Sequence, residues 1–279
     1  MSGVLINGIA SDYVSAQDRG LHYGDGLFET IACSGTRAQF IDEHLDRMQH
    51  GARVLGIAFP DRQLILDDIG SLLNNSSIAS VIKLILTRGS GKRGYRPQHE
   101  HVATRICMLG AWPEYIDRWK RDGITARMCK TPVSVNAGFA GLKTLNRLEN
   151  VLAAGELGTD VDEGIMMDAD GQVIEGTMSN LFAVIDDSLV TPDLSRCGIA
   201  GIMREQIIDI AKTSAMKIEI RNTGRDELMS ASELFVCNSL IGVCAVRQLE
   251  QRVYTADTIT RTIKTKLHRR MQADAKAAA

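Results

Sequence analysis

Lys143 is the residue whose surroundings most directly suggest chemistry. Residues 131–142 carry no charged side chain, and Gly138 and Gly141 precede a segment in which leucines recur at helical spacing. A lysine placed where an apolar strand or loop gives way to a helix can be desolvated, which lowers its pKa and provides a neutral amine that attacks carbonyls. The alternative is an ordinary lysine whose stem packs on the core while its ammonium reaches water. Other residues must decide between the two interpretations.

Glu175 is a carboxylate at the end of an apolar strand. It follows Val173 and Ile174 and precedes the run Gly-Thr-Met-Ser-Asn at 176–180. If this carboxylate is ionised there, it needs a cationic partner. A protonated pyridine nitrogen would serve, and the carboxylate would keep that nitrogen protonated so that the ring stays an electron sink. The alternative is a surface glutamate at a strand end.

Three further features could hold a phosphate. Gly198-x-x-Gly201 opens a helix, where backbone N–H groups and the helix dipole suit an anion, and Arg47 could add a cation. Asn238 and Ser239 offer an amide and a hydroxyl just past an apolar strand. Each feature alone has an ordinary explanation: a turn, an ion-paired arginine or a strand end. Their agreement with a lysine and a carboxylate favours pyridoxal phosphate.

The composition of the whole chain is typical of a globular protein with one large or two smaller domains. Of its 279 residues 44% are hydrophobic, and the formal net charge is -2, so no global positive field argues for nucleic acid or an anionic membrane. The six cysteines form no C-x-x-C pair, and we interpret them as reduced core residues. The N-terminus lacks a signal-peptide pattern and no run approaches a membrane span. We therefore expect a cytoplasmic protein.

The elements that would position the candidate residues are strands and helices in both halves of the chain. We expect a small α+β domain over residues 1–112, an interdomain connection over 113–123 and a larger cofactor-binding domain over 124–279. The patterns predict strands at 4–6, 81–87, 104–109, 164–168, 172–175, 181–185, 217–220 and 234–237, a hairpin turn at Asn7-Gly8, and helices at 41–55, 61–73, 201–213 and 258–271.

The order of these motifs resembles the fold-type IV family of pyridoxal phosphate enzymes, which holds the branched-chain and D-amino acid aminotransferases and the aminodeoxychorismate lyases. The resemblance runs over nearly the whole chain. It implies an α+β fold like that of D-amino acid aminotransferase, with a barrel-like sheet in the larger domain, the cofactor between the domains, and a homodimer. The matching segments are 18–20, 23–29, 44–47, 143–148, 175–182 and 201–204.

The resemblance also assigns roles to individual residues. It makes Lys143 the Schiff-base lysine and pairs Glu175 with the pyridine nitrogen. Phosphate ligands implied in the same way are Arg47, the main chain at Ile202 and Met203, and Ser239. Aminotransferases of the family often have threonine at the positions of Met203 and Ser239. A methionine at position 203 still provides the backbone N–H group for a phosphate.

A basic loop, residues 87–95, favours the aminodeoxychorismate lyases within the family. Their substrate bears two carboxylates, and guanidinium groups bind carboxylates bidentately. The alternative is a solvated basic loop. Phe28 stands where some transaminases carry a tyrosine, whereas Glu29 resembles the transaminase pattern. The substrate-binding residues implied by the resemblance are Arg88, Arg93, Tyr95, Phe28 and Asn238, with Thr30 as a helper beside the pocket.

The expected reaction is the conversion of 4-amino-4-deoxychorismate to 4-aminobenzoate and pyruvate for folate synthesis. Lys143 would remove a proton from the amine-bearing carbon, and the returning electrons would expel the enolpyruvyl group. A transaminase acting on D-amino, branched-chain or (R)-amine substrates would use the same lysine and cofactor, and a non-catalytic cofactor carrier is a third alternative. His99 and His101 flank Glu100, but no third ligand at useful spacing is evident, so we expect no metal site.

Overall fold

The computed structural model describes residues 3–74, 76–98 and 100–277. The chain divides into two compact units. The first comprises Met1–Pro113, Leu142–Asn146 and Asp274–Ala279, and the second comprises Glu114–Gly141 and Arg147–Ala273. Each unit has its own sheet and its own core, in agreement with the predicted α+β architecture.

The first unit is built on an antiparallel sheet of six strands. Along the sheet the strands follow the order β2-β1-β6-β5-β3-β4. Near the end of the chain, Asp274 accepts a hydrogen bond from the Phe40 N–H at 2.8 Å. The elements are β1 (Val4–Ile6), β2 (Ile9–Ala10), α1 (Arg19–Tyr23), β3 (Gly26–Ser34), β4 (Arg37–Ala38), α2 (Ile41–Leu55), α3 (Arg62–Leu73), β5 (Ala79–Thr87) and β6 (Thr104–Ala111).

The core of the first unit lies between one face of this sheet and helices α2 and α3. Side chains alternate along a strand, so Leu27 and Ile31 of β3 face the helices while Phe28 and Thr30 face the other way. Leu45 and Met48 recur on α2 at helical spacing and are at most 2% exposed. The core face of β3 is therefore mainly apolar, and the opposite face is available to other groups.

The second unit contains a curled sheet of nine strands. Eight of them follow the order β12-β11-β10-β13-β14-β7-β8-β9, and β15 pairs with β14. The rings of Phe182 and Phe235 stack in its core with centroids 5.2 Å apart. The elements are α4 (Tyr115–Asp122), β7 (Ile124–Met128), α5 (Leu148–Gly155), β8 (Glu163–Met167), β9 (Val173–Gly176), β10 (Asn180–Ile185), β11 (Ser188–Thr191), α6 (Ile202–Thr213), β12 (Ile218–Ile220), α7 (Arg225–Ser230), β13 (Glu233–Asn238), β14 (Gly242–Leu249), β15 (Arg252–Val253) and α8 (Thr258–Ala277).

Two boundaries differ from the predicted domains. Most of the predicted connection 113–123 is helix α4 of the second unit, whose Ile116 and Trp119 are buried. Its sequence looks like a polar linker because its other side chains point away from the core. The second difference is that residues 142–146 belong to the first unit although both neighbouring segments belong to the second.

The helix expected directly after Lys143 begins only at Leu148. Leu148 and Leu152, which follow the helical spacing, are 78% and 63% exposed, whereas Ala153 is fully buried. The periodicity therefore identified a helix but not the face that packs on the core. In the part of the chain that the structure describes, no helix is long and apolar enough to cross a membrane.

Candidate active site

Lys143 lies beside strand β3 and not at a helix start. The Phe28 N–H donates to the Lys143 carbonyl at 3.0 Å, and Leu27 pairs with Thr144 in an antiparallel bridge. The Lys143 Nζ lies 4.2 Å from the centre of the Phe28 ring. A cation over an aromatic face is attracted by the ring quadrupole. The backbone of β3 and the Phe28 ring therefore fix both ends of the lysine.

The face of β3 that carries Phe28 also carries Thr30. Thr30 stands opposite Lys83 of β5, and the Lys83 Nζ lies 5.5 Å from the same Phe28 ring. The structure thus brings Phe28 to Lys143 and places Thr30 on the same face of β3 as Phe28, and the roles of Phe28 and Thr30 stay predictions. Lys83 is a second cation at this place that sequence reasoning missed, because its position depends on the register between β3 and β5.

Glu29 forms a buried ion cluster on the opposite face of β3. Its carboxylate is hydrogen-bonded to His44 Nδ1 at 2.6 Å and accepts from Arg47 Nε and Nη2 at 2.8 and 2.5 Å. Burial opposes ionisation of Glu29, but the charges of Arg47 and His44 outweigh it and lower its pKa to about 2. The two-pronged contact holds the Arg47 guanidinium in one orientation. A phosphate contact of Arg47 stays a prediction.

Arg88 is engaged by groups of the protein itself. Its guanidinium donates to both oxygens of Asp25, at 2.7 and 3.1 Å. It also donates to the carbonyls of Leu55 and Gly56 at the end of α2, at 2.7 and 2.6 Å, and the residue is only 6% exposed. This geometry contradicts the expectation that Arg88 binds a substrate carboxylate, because a buried aspartate and two helix-end carbonyls already use its donors.

The other cations of the basic loop face solvent. Lys92, Arg93 and Arg96 are exposed, and within the described ranges of the chain none of them forms an ion pair. Tyr95 is 87% exposed, and its ring centroid lies 5.5 Å from that of Tyr23. The structure therefore leaves Arg93 and Tyr95 accessible to a ligand, and their binding of substrate stays a prediction.

Glu175 is a buried carboxylate held by a backbone N–H. It lies in β9, is 3% exposed, and accepts from the Ile199 N–H at 2.8 Å. Gly198 has a φ of +82°, and a Cβ at that position would come within 2.8 Å of the side chains of Ile174 and Leu194. Only a glycine allows this loop to approach Glu175 with its main chain.

The loop at 198–200 also pairs with the chain just before Lys143. The Gly141 N–H donates to the Gly198 carbonyl at 2.9 Å, and the Ala200 N–H donates to the Gly141 carbonyl at 3.1 Å. The same loop that contacts Glu175 therefore fixes the backbone two residues before Lys143 in the sequence.

Helix α6 begins at Ile202, directly after Gly201. Ile202 and Met203 are 7% and 2% exposed, so their side chains belong to the core and only their main chain could serve a phosphate. The first N–H groups of a helix have no acceptor within it, and they suit an anion. Asn180 packs against this start: a Cβ on Gly201 would lie 2.1 Å from its Oδ1, and its Nδ2 donates to the Ile199 carbonyl at 2.8 Å.

Glu163 is a second buried carboxylate, which sequence reasoning missed. It is fully buried in β8 and accepts from the Thr177 N–H at 3.0 Å, the Thr177 hydroxyl and the Ser179 hydroxyl at 2.7 Å. Burial raises its pKa, although these hydrogen bonds act in the opposite direction. Glu163 fixes the turn that follows Glu175. A single Glu at the start of an apolar strand gave no signal for this contact.

Asn238 and Ser239 lie at the turn that joins β13 to β14. The Asn238 Oδ1 accepts from the N–H groups of Leu240 and Ile241, both at 2.9 Å, and its Nδ2 donates to the Met178 carbonyl at 3.1 Å. The amide of Asn238 therefore holds the turn, and its expected substrate contact stays a prediction. Ser239 is half-buried in the same turn, and its phosphate contact stays a prediction.

The structure gives no support to a metal site. His101 accepts from the Ala58 N–H through Nε2 at 3.0 Å, and His99 lies outside the described residues. Among residues 3–74, 76–98 and 100–277, no three His, Cys, Asp or Glu side chains cluster as metal ligands would. The six cysteines are all buried and free, which confirms their prediction as core residues.

The residues present match the chemistry of pyridoxal phosphate. The amine of Lys143 suits its aldehyde, the buried carboxylate of Glu175 suits its ring nitrogen, and the start of α6 suits its phosphate. Gly198 and Gly201 keep the main chain beside the Glu175 carboxylate and at the start of α6 free of side chains. Fold and side chains together define a pyridoxal phosphate enzyme.

The chain belongs to the class IV aminotransferase family, whose family model matches residues 26–249. Members of this family use pyridoxal 5'-phosphate. This membership confirms both the resemblance stated from the motifs and the predicted cofactor.

The proteins of known sequence or structure that this chain resembles include both lyases and aminotransferases. The chain is 32% identical to an aminodeoxychorismate lyase of Vibrio harveyi, over 86% of this chain and 89% of the relative. It is 30% identical to a putative branched-chain-amino-acid aminotransferase of Methanocaldococcus jannaschii, over 91% and 89%. The crystal structure of 4-amino-4-deoxychorismate lyase from Pseudomonas aeruginosa superposes with a TM-score of 0.90 at 38% identity, covering 95% of this chain and 98% of that one.

Proposed function

We propose that the protein is an aminodeoxychorismate lyase, which converts 4-amino-4-deoxychorismate to 4-aminobenzoate and pyruvate. The observation that carries this proposal is the loop that presents Lys92, Arg93 and Arg96 to solvent without ion pairs among the described residues. This loop belongs to the unit that holds Lys143. A substrate with two carboxylates matches such a set of cations. The likeness to the lyases of V. harveyi and P. aeruginosa supports the same choice.

Lys143 performs the proton transfers of this reaction. Its amine removes the proton from the amine-bearing carbon of the substrate. The bond between the neighbouring ring carbon and the enolpyruvyl oxygen then breaks, and the methylene carbon of the departing group takes up a proton, so that pyruvate leaves and the ring becomes aromatic. When bound, pyridoxal phosphate supplies an electron sink for the first step. Glu175 keeps the ring nitrogen of that cofactor protonated, and Thr30 is placed on the Lys143 face of β3 to assist.

The substrate carboxylates are bound by side chains of the first unit. Arg93 and Tyr95 are accessible on the loop, and Lys83 supplies a cation beside Phe28 and Lys143. Lys83 therefore binds the substrate carboxylate that Arg88 was expected to bind, because the Arg88 guanidinium already donates to Asp25. The Phe28 ring forms an apolar wall at the same place.

A transaminase is the second candidate. The 30% identity to a putative branched-chain-amino-acid aminotransferase favours it, and Lys143 and Glu175 would serve it equally well. The two reactions differ in the product, because a transaminase moves the amino group to a keto acid and releases no 4-aminobenzoate. The substrate, and not the lysine or the cofactor, separates them.

The test is the product balance of purified protein loaded with pyridoxal phosphate and supplied with 4-amino-4-deoxychorismate. We expect equal amounts of 4-aminobenzoate and pyruvate from the wild type and neither product from Lys143→Ala. Formation of alanine from pyruvate and a D-amino acid, without any 4-aminobenzoate, would replace the lyase by the transaminase. Full activity of Lys143→Ala would refute catalysis by this lysine.

We further propose that the enzyme is a cytoplasmic homodimer that acts in folate synthesis. Helix α5 exposes an apolar stripe, the side chains of Leu148, Val151 and Leu152, which are 78%, 64% and 63% exposed. Three large apolar side chains on one helical face are typical of a surface that another protein chain covers. A second copy of this chain is the proposed partner.

A further inference from the structure

Arg19 connects the short helix α1 to the tip of the basic loop. Its Nη1 donates to the Gly94 carbonyl at 2.8 Å and its Nη2 to the Tyr95 carbonyl at 3.0 Å. Its Nε donates to Asp25 at 2.9 Å, and the residue is only 6% exposed. An arginine buried in this way is used by the protein's own structure, and most of its donors serve the loop.

Tyr23 reinforces the same contact from the other end of α1. Its hydroxyl accepts from the Gly94 N–H at 3.0 Å, its ring lies 4.7 Å below the Arg19 guanidinium, and the Tyr95 ring packs beside it. Gly94 is therefore bound through both its N–H and its carbonyl. Two side chains one helical turn apart thus hold one residue of the loop.

The base of the loop is fixed to the same segment through the main chain. The Arg19 N–H donates to the Gly89 carbonyl at 2.9 Å, and the Gly91 N–H donates to the Gln17 carbonyl at 3.3 Å. A Cβ on Gly91 would lie 3.0 Å from the Arg19 Cδ, so the loop passes directly over this side chain. The loop is therefore wrapped around Arg19.

A loop of this composition needs such a support. It contains three glycines between 88 and 95, which leave the unfolded loop many conformations, and it carries several positive charges that repel one another. Asp25 lies between Arg19 and Arg88 and balances the charge at the base of the loop. Burial opposes ionisation of Asp25, but hydrogen bonds from Arg88 and Arg19 outweigh it and lower its pKa.

We propose that Arg19 and Tyr23 are positioning residues that hold Gly94 and Tyr95, and thereby place Arg93 and Tyr95 for substrate carboxylates. This inference rests on the proposed function for the identity of the substrate. A loop that is ordered before binding loses less conformational entropy when it binds, so the anchor contributes to affinity without touching substrate. Its loss raises KM and leaves kcat nearly unchanged.

The experiment uses the cofactor-loaded full chain and the variants Arg19→Lys and Tyr23→Phe. A lysine keeps the charge but cannot donate to two carbonyls and Asp25 at once, and a phenylalanine keeps the ring but loses the acceptor for Gly94. Arg53→Lys, at an exposed arginine near the end of α2, is the matched control. Two quantities are measured: the kcat and KM for 4-amino-4-deoxychorismate, and the rate at which trypsin cuts the folded protein after Lys92 or Arg93.

For Arg19→Lys we expect KM and the nicking rate each to rise about tenfold, with kcat within about twofold, because at least one charge-assisted hydrogen bond is lost. Tyr23→Phe should show the same pattern to a smaller extent, and Arg53→Lys should match the wild type. If trypsin cut Arg19→Lys and Tyr23→Phe at the wild-type rate, the proposal that Arg19 and Tyr23 hold the loop would be wrong. If trypsin cut the variants faster but their KM stayed unchanged, Arg19 and Tyr23 would hold the loop without contributing to substrate binding. A wild type without 4-aminobenzoate formation would refute the proposed function alone, because nicking measures the anchor without any substrate.

Discussion

Glu29 shows how the neighbouring Arg47 and His44 keep a buried carboxylate ionised. Arg47 and His44 hold its pKa at about 2, compared with 4.5 for an ordinary glutamate. A pKa that is lower in the folded state stabilises the protein above the unfolded-state value, and this contribution is lost as the pH falls from about 4.5 toward 2. The difference corresponds to about 3 kcal/mol in the free energy of unfolding. The cluster is therefore a stabilising element at neutral pH.

Replacement of Glu29 by Gln tests this conclusion. The variant removes the carboxylate charge that Arg47 and His44 contact, so its free energy of unfolding at pH 7 should be lower by about 3 kcal/mol. The difference from the wild type should shrink steadily between pH 4.5 and 2.5. Urea unfolding at several pH values measures both, and Glu114→Gln, at an exposed residue, is the control. A difference that stays constant over this range would contradict the low pKa.

Sequence predicted the types of the site residues better than their partners. Lys143 and Glu175 followed from their apolar surroundings, and the structure places Lys143 at the Phe28 ring and Glu175 at a glycine loop. Arg88 was mistaken for a substrate ligand because its partner Asp25 lies 63 residues earlier in the chain. The part that the Asn238 amide plays in a turn was also missed, because it depends on contacts with Leu240, Ile241 and Met178. A side chain's availability depends on tertiary contacts that a sequence does not contain.

At the scale of elements, periodicity identified the helices and strands that pack on a core. Helices α2 and α3 and strands β5 and β6 appear within a few residues of their predicted bounds, and Asn7 and Gly8 form the predicted turn with φ of 52° and 85°. The errors in the predicted elements occur where the spacing of apolar residues does not show which part of the protein an element packs against. Strand β14, at Gly242–Leu249, was missed, and helix α4 was taken for a linker.

Gly201 offers a test of how closely strand β10 must approach helix α6. Its φ of -73° suits alanine, so the effect of Gly201→Ala comes only from the clash of the new Cβ with Asn180. Displacement of Asn180 breaks its hydrogen bond to the Ile199 carbonyl. We expect the affinity for pyridoxal phosphate to fall at least about tenfold, since one buried hydrogen bond is lost and its partner is left unsatisfied.

The measurement is a titration of apoprotein with pyridoxal phosphate, followed by absorbance. The control is Gly155→Ala at the end of α5, where a Cβ meets no atom within 4 Å. Alanine there should leave the cofactor affinity unchanged and should stabilise the helix by about 0.5–1 kcal/mol. Equal cofactor affinity of Gly201→Ala and wild type would show that the contact with Asn180 does not support the phosphate site.

At the scale of the whole molecule, the apolar stripe of α5 predicts association. Its side chains Leu148, Val151 and Leu152 are 78%, 64% and 63% exposed and lie on one helical face. A charge in the centre of such a surface would be desolvated without a partner. Val151→Glu should therefore halve the mass measured by analytical ultracentrifugation.

The matched control for this variant is Val54→Glu on α2, at a valine that is 50% exposed in the first unit. It introduces the same charge at a comparable exposure, so its mass should equal that of the wild type. A monomeric wild type would refute the homodimer. A dimeric Val151→Glu would show that another surface forms the contact.

The order in which the chain leaves the ribosome has a consequence for the first unit. Strand β3 and its Phe28 are synthesised early, but the segment with Lys143 that pairs with β3 follows more than a hundred residues later, and Asp274, which binds Phe40, comes near the end. Sheet and helices of this unit can form during translation, whereas its nucleophile is added only after residues 114–141 of the second unit have been made. A fragment that ends at Pro113 would therefore contain the strands of the sheet and the anchored basic loop but would lack Lys143 beside Phe28.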